Sequence, residues 1–220
     1  MGQFYPHTDT LAMVVVADEA TDVDYSEPFA RLREHSDVQA DIDRVRPQFD
    51  RPVDHELVMT VQAGTLPAPI LVLMSTDTLY SPPVEWNETM PMMNWLTTGM
   101  GVTWVLRDAA DARANREIGP AVGWRFAEGD VVKIRLYNDP KTPHPMNHPM
   151  HLHGQRFLLL EHDGVRPTNF VWRDTILVPV GSTIDLLVEM SNPGFWMLNC
   201  QIPEHMGSGM AITFRVDPSS

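Results

Sequence analysis

Residues Val131-Val-Lys-Ile-Arg-Leu-Tyr137 alternate in polarity. That two-residue period puts one face of a strand on a core and the other toward water. Short apolar or alternating runs recur at Leu57–Val61, Val102–Asp108, Val122–Phe126, Arg156–Leu160, Asp174–Val178, Thr183–Glu189, Gly194–Leu198 and Met210–Val216. Turn-forming residues stand between them, as at Glu128-Gly129-Asp130 and in the polar region 108–115. Many short strands at regular spacing predict an all-β sandwich or barrel over residues 57–217. The 19 prolines point the same way, since proline breaks the interior of a helix.

Residues 1–56 read as an extension or linker. Leu11–Ala17 is an apolar run with strand character. Ser26-Glu27-Pro28 opens a helix, with proline tolerated in the first turn. Phe29 and Leu32, then Val38, Ile42 and Val45, have helical spacing, so two short helices fit, broken near His35 and ended before Pro47. Residues 80–90 read as a loop or edge segment. His7, His35 and His55 are isolated and are expected at the surface.

Charge excludes one class of partner. Asp and Glu number 29 against 16 Lys and Arg, a net charge of −13, and a nucleic-acid surface needs clustered cations. No apolar run reaches the length of a transmembrane helix, and the N-terminus lacks the basic and apolar regions of a signal peptide. A single cysteine cannot form an internal disulfide and does not fix the redox compartment.

That cysteine, Cys200, is followed by His205 and Met210 on one short stretch. Thiolate, imidazole and thioether are the soft and borderline donors that copper takes in a blue electron-transfer site, where a second histidine completes the set. The histidines also cluster: four of the nine are His144, His148, His151 and His153. On an extended strand His151 and His153 share one face. The 14 methionines read first as adaptable core filling, with soft metal contacts as the other reading. Met146, Met150, Met197 and Met206 are expected to form an apolar collar around the ligands. His144 and His162 are expected to be exposed loop histidines, and Gln155 a polar residue at a strand start.

His148-Pro-Met-His-Leu-His-Gly154, Asp174-Thr-Ile-Leu-Val-Pro179, Asn192-Pro-Gly-Phe-Trp196 and the stretch from Cys200 to Met210 resemble the C-terminal cupredoxin domain of multicopper oxidases of the laccase type. Trp86, Asn94, Trp104, Asp108, Trp124 and Gly129-Asp130 extend the likeness upstream. The resemblance implies a Greek-key cupredoxin sandwich at 57–217 and an interdomain linker at 1–56. It implies a type 1 copper held by His148, Cys200 and His205, with Met210 axial. His151 matches a type 2 ligand and His153 a type 3 ligand. The edge of His205 is then the expected entry point for an electron.

The chain departs from that pattern beside the cysteine. The family has histidines on both sides, and here they are Asn199 and Gln201. An amide nitrogen offers no lone pair to a metal, and the carbonyl oxygen ligates copper weakly. The further His-x-His pairs of the family are also missing, His151/His153 being the only one in the chain. The expectation is one type 1 copper, electron exchange with a small reductant, and no oxygen reduction by this chain alone. Two origins fit: truncation with shape-conserving histidine replacements, which the intact remainder of the motif favours, or a natural copper protein that lost the cluster. The competing readings are a laccase-like oxidase completed by partner domains, acting on phenols or metal ions, and a methionine-rich copper store. A periplasmic or secreted parent is implied, with no membrane partner, and a former interdomain surface would allow homo-oligomers.

Overall fold

The computed structural model describes residues 10, 12–16, 18–20, 22, 35–63, 66–76, 101–110 and 123–219. The chain divides into two compact units, 1–46 and 47–220. In the first unit, helix α1 (Ser36–Val45) forms where the spacing of Val38, Ile42 and Val45 predicts it. Of the expected strand at Leu11–Ala17, the described residues 12–16 carry no strand, and Val14, Val15 and Val16 are exposed. An apolar run becomes a strand only where a neighbour takes its backbone groups. The earlier of the two expected helices falls on residues 23–34, outside the described residues, as does the segment 80–90.

The second unit is a two-sheet sandwich. Its strands are β1 (His55–Gln62), β2 (Thr103–Asp108), β3 (Trp124–Ala127), β4 (Val131–Asn138), β5 (His148–Leu152), β6 (Arg156–His162), β7 (Trp172–Arg173), β8 (Thr175–Val178), β9 (Thr183–Glu189), β10 (Gly194–Cys200) and β11 (Ala211–Asp217). One sheet runs in the order β2-β1-β4-β9-β6-β7 and the other β3-β11-β10-β5-β8. Pairing is antiparallel except for β1 with β4 and β11 with β3. Helix α2 (Ala68–Thr76) lies between β1 and β2 in sequence, and the short helix α3 (Pro203–Gly207) between β10 and β11.

Alternation explains the core. In β11 the residues Ile212, Phe214 and Val216 are buried and their neighbours are not. Leu57, Met59, Ile134, Leu136, Phe157, Ile184 and Val188 supply the facing layer. Burial of such side chains is worth about 1.5–3 kcal/mol each. The same alternation places chemistry on both sides of one sheet. His148, Met150 and Leu152 of β5 point inward, while His151 lies on the opposite face. On neighbouring β10, Leu198 and Cys200 are buried among the core residues, and Asn199 pairs in register with His151. An odd separation in sequence has therefore sorted the histidines: His148 faces the core side with Cys200, and His151 does not.

Candidate metal centre

The inner site is assembled at one end of the sandwich. His148 opens β5 and Cys200 closes antiparallel β10, so strand direction alone brings them to the same end. The approach to His148 is held by Asn138, whose side-chain amide donates to the carbonyls of Met146 (2.8 Å) and Val178 (3.0 Å). Asn147 accepts from the Val180 N–H at 2.8 Å. After Cys200 the chain turns through α3, with Pro203 in its first turn. The loop is then closed by two main-chain bonds: Met210 N–H donates to the His205 carbonyl at 2.9 Å, and Cys200 N–H to the Met210 carbonyl at 3.0 Å.

Three donor atoms converge as a result. Cys200 Sγ lies 3.8 Å from His148 Nδ1 and 3.6 Å from His205 Nδ1, and the two Nδ1 atoms are 3.2 Å apart. Among the described residues this is the one group of histidine, cysteine and carboxylate side chains arranged to hold a metal. All three are buried, and so is Met210. Burial pushes the His148 imidazole down to about 3 from its ordinary 6.5. Burial, with the His148 and His144 rings opposing a further charge, pushes His205 down to about 2. Both rings are therefore neutral at ordinary pH, the form in which imidazole offers a lone pair. A thiolate and two neutral imidazoles in a dry pocket fit copper or another borderline cation.

Trp104 of β2 forms one wall. Its indole stacks on the His205 ring, with centroids 3.6 Å apart and planes at 24°, and meets His148 edge-on at 5.4 Å. The His205 edge expected to admit an electron is almost wholly covered, since that residue is 3% exposed. His144 is a second correction. It is buried near His205 rather than exposed, with φ of 54°. Of the methionines expected as a collar, Met150 is fully buried, Met146 packs against the core, Met197 is half-buried and Met206 is 41% exposed. His162 and His35 are exposed as expected. His55 is instead half-buried, stacked on Trp124 at 4.3 Å, with burial lowering its pKa. His7 lies outside the described residues.

On the other face the His151 and His153 rings meet at 4.5 Å. His151 Nδ1 lies 3.1 Å from the Asp174 carbonyl oxygen and 2.9 Å from the Thr175 hydroxyl. His153 Nε2 lies 2.7 Å from Asn199 Oδ1. Gln201 faces solvent, its main-chain N–H donating to the Pro149 carbonyl at 2.8 Å. Gln155 follows the histidine motif, immediately before β6. Its side chain is buried and ties down the next turn, donating to the Asn192 carbonyl and accepting from the N–H groups of Ser191 and Asn192. Gly154 lets Trp196 lie against the backbone: a Cβ there would fall 2.2 Å from the indole. Trp104 and His144 are the site residues that ligand spacing alone does not reveal, because their strand and loop are brought to the donors only by the tertiary fold.

A family model described as multicopper oxidase matches residues 87–220. An oxidoreductase of Pestalotiopsis microspora is 32% identical over 144 residues, which cover 62% of this chain and 23% of that protein. Laccase-1 of Melanocarpus albomyces is 28% identical over 200 residues, covering 76% of this chain and 32% of that one. Among solved structures, a multicopper oxidase described as a metallo-oxidase from Campylobacter jejuni aligns with 18% identity over 76% of this chain and 31% of that one, at a TM-score of 0.48. The chain thus spans a quarter to a third of the length of these curated relatives. With its β-sandwich and its match over residues 87–220, the chain belongs to the multicopper oxidase family.

Proposed function

We propose that this chain is a type 1 copper electron-transfer domain, in which His148, Cys200, His205 and Met210 would hold the metal. The observation that carries the reading is the convergence of Cys200 Sγ and the two Nδ1 atoms in a buried pocket. Bound copper would supply one-electron chemistry between its cupric and cuprous states. The chain's own residues do the rest. The closed loop from Cys200 to Met210 holds the donors through main-chain bonds, so little rearrangement accompanies the change of charge. Trp104 and the surrounding core keep water out. Exclusion of water favours the less charged cuprous state and so raises the potential.

The reading includes one copper and no complete trinuclear cluster. Asn199 and Gln201 support it, since neither side chain replaces an imidazole ligand. Asn199 is, moreover, hydrogen-bonded to His153. The partner would be a small reductant or an electron acceptor, and the setting extracellular or periplasmic, as the family likeness implies. A second reading is favoured by the fraction of its relatives that the chain spans: it would be one domain of a laccase-like oxidase acting on phenols or metal ions with oxygen, completed by other domains.

Oxygen uptake separates the two. The copper-loaded chain with excess phenolic reductant is expected to bleach once, without sustained oxygen consumption. Continuous uptake with water as the product would overturn the electron-transfer reading.

A further inference from the structure

Asn199 is 1% exposed and sits on β10 beside the outer histidine pair. Its side chain makes three contacts. The Nδ2 group donates to the Cys200 carbonyl at 2.8 Å and to Met206 Sδ at 3.4 Å. Its Oδ1 faces His153 Nε2 at 2.7 Å. The first contact fixes the orientation of the amide, because a flipped group would set two oxygens against each other at the Cys200 carbonyl. Oδ1 can only accept, so His153 must carry its proton on Nε2. On the neighbouring ring, the Asp174 carbonyl likewise only accepts, which puts the His151 proton on Nδ1.

We propose that Asn199 is a positioning residue that closes the histidine pair. It holds His153 as the Nε2–H tautomer and withdraws that nitrogen from metal binding, while tying the pair to the strand that carries Cys200. The pair keeps lone pairs only at His151 Nε2 and at His153 Nδ1, the ring nitrogen nearer the backbone. A cation using His153 Nε2 must first break a buried amide contact, and the ring proton must move from Nε2 to Nδ1. The replacement beside the cysteine is thus more than a missing ligand, because it disables a ligand that remains. This inference extends the proposed absence of a cluster but does not depend on copper at Cys200.

The test uses the copper-free chain labelled with 15N. Ring proton–nitrogen correlation spectra report the His153 tautomer, and a zinc chloride titration follows the His151 and His153 ring signals residue by residue. The wild type is expected to show His153 protonated on Nε2. Asn199→Leu, which keeps the branched four-atom side-chain shape, and Asn199→Ala are expected to bind zinc at the pair at least tenfold more tightly, through His153 Nε2. An Nδ1–H tautomer in the wild type would overturn the proposal. So would zinc bound through His153 Nε2 in the wild type as tightly as in the variants. If the variants do not fold, the wild-type tautomer decides alone. The visible band of the copper-loaded chain reports the Cys200 site separately, so a colourless protein with an Nε2–H His153 refutes the copper reading and leaves this one standing.

Discussion

Acidifying the copper-free chain should destabilise it through two histidines. His148 and His205 have folded-state pKa values of about 3 and about 2, against an ordinary 6.5. Between those limits the unfolded chain binds protons that the folded chain refuses, so stability is full above pH 6.5 and falls as the pH drops below it. From pH 7.5 to 5.0 each ring costs about 2 kcal/mol, and the two together about 4 kcal/mol. That is a large share of the 5–15 kcal/mol typical of a domain, roughly speaking. His55, whose pKa is also lowered by burial, acts in the same direction. Urea unfolding followed by tryptophan fluorescence at the two pH values measures the loss. His148→Gln removes one titrating ring and should cut the difference by about 2 kcal/mol, whatever its own effect on stability. Equal stability of the copper-free chain at pH 7.5 and 5.0 would refute the argument that both rings are neutral and dry.

Two substitutions probe the frame. Gly154→Ala puts a Cβ within 2.3 Å of the Trp196 ring at a φ of +67°, and should cost about 2–4 kcal/mol in urea unfolding. Gly164→Ala, at φ +76° but with nothing within 4 Å, should cost only the backbone strain, about 1 kcal/mol. Trp104→Leu removes the stack on His205 and admits water, so the midpoint potential of the copper-loaded chain should fall, whereas Trp104→Phe should largely preserve it. An unchanged potential in Trp104→Leu would show that the indole only fills space.

The β-strands were legible because alternation is a local signal: Val131–Tyr137 and Thr183–Glu189 pair in the sheet where their pattern predicts strands. Helix α2 and the single turn of α3 were not. Residues 68–76 are almost uniformly apolar, which leaves strand and helix indistinguishable by period, and α3 is too short to show one. At the site, spacing and chemistry single out Cys200, His205 and Met210, the family resemblance adds His148, and the fold brings Cys200, His205 and His148 together. Burial could not be read that way. Whether His144 or His55 lies at the surface depends on which distant chain covers it, as Trp124 covers His55. The Asn199–His153 contact was likewise hidden, because it depends on the register between β5 and β10.

The most direct test of the central claim is a visible and electron paramagnetic resonance spectrum of the copper-loaded chain, with metal counted on the same sample. The account predicts one copper per chain, an intense thiolate-to-copper band at about 600 nm and the narrow hyperfine splitting of a type 1 centre, all lost in Cys200→Ser. One equivalent of cupric ion without the blue band, or a blue protein holding a full set of further coppers and turning over oxygen, would contradict it.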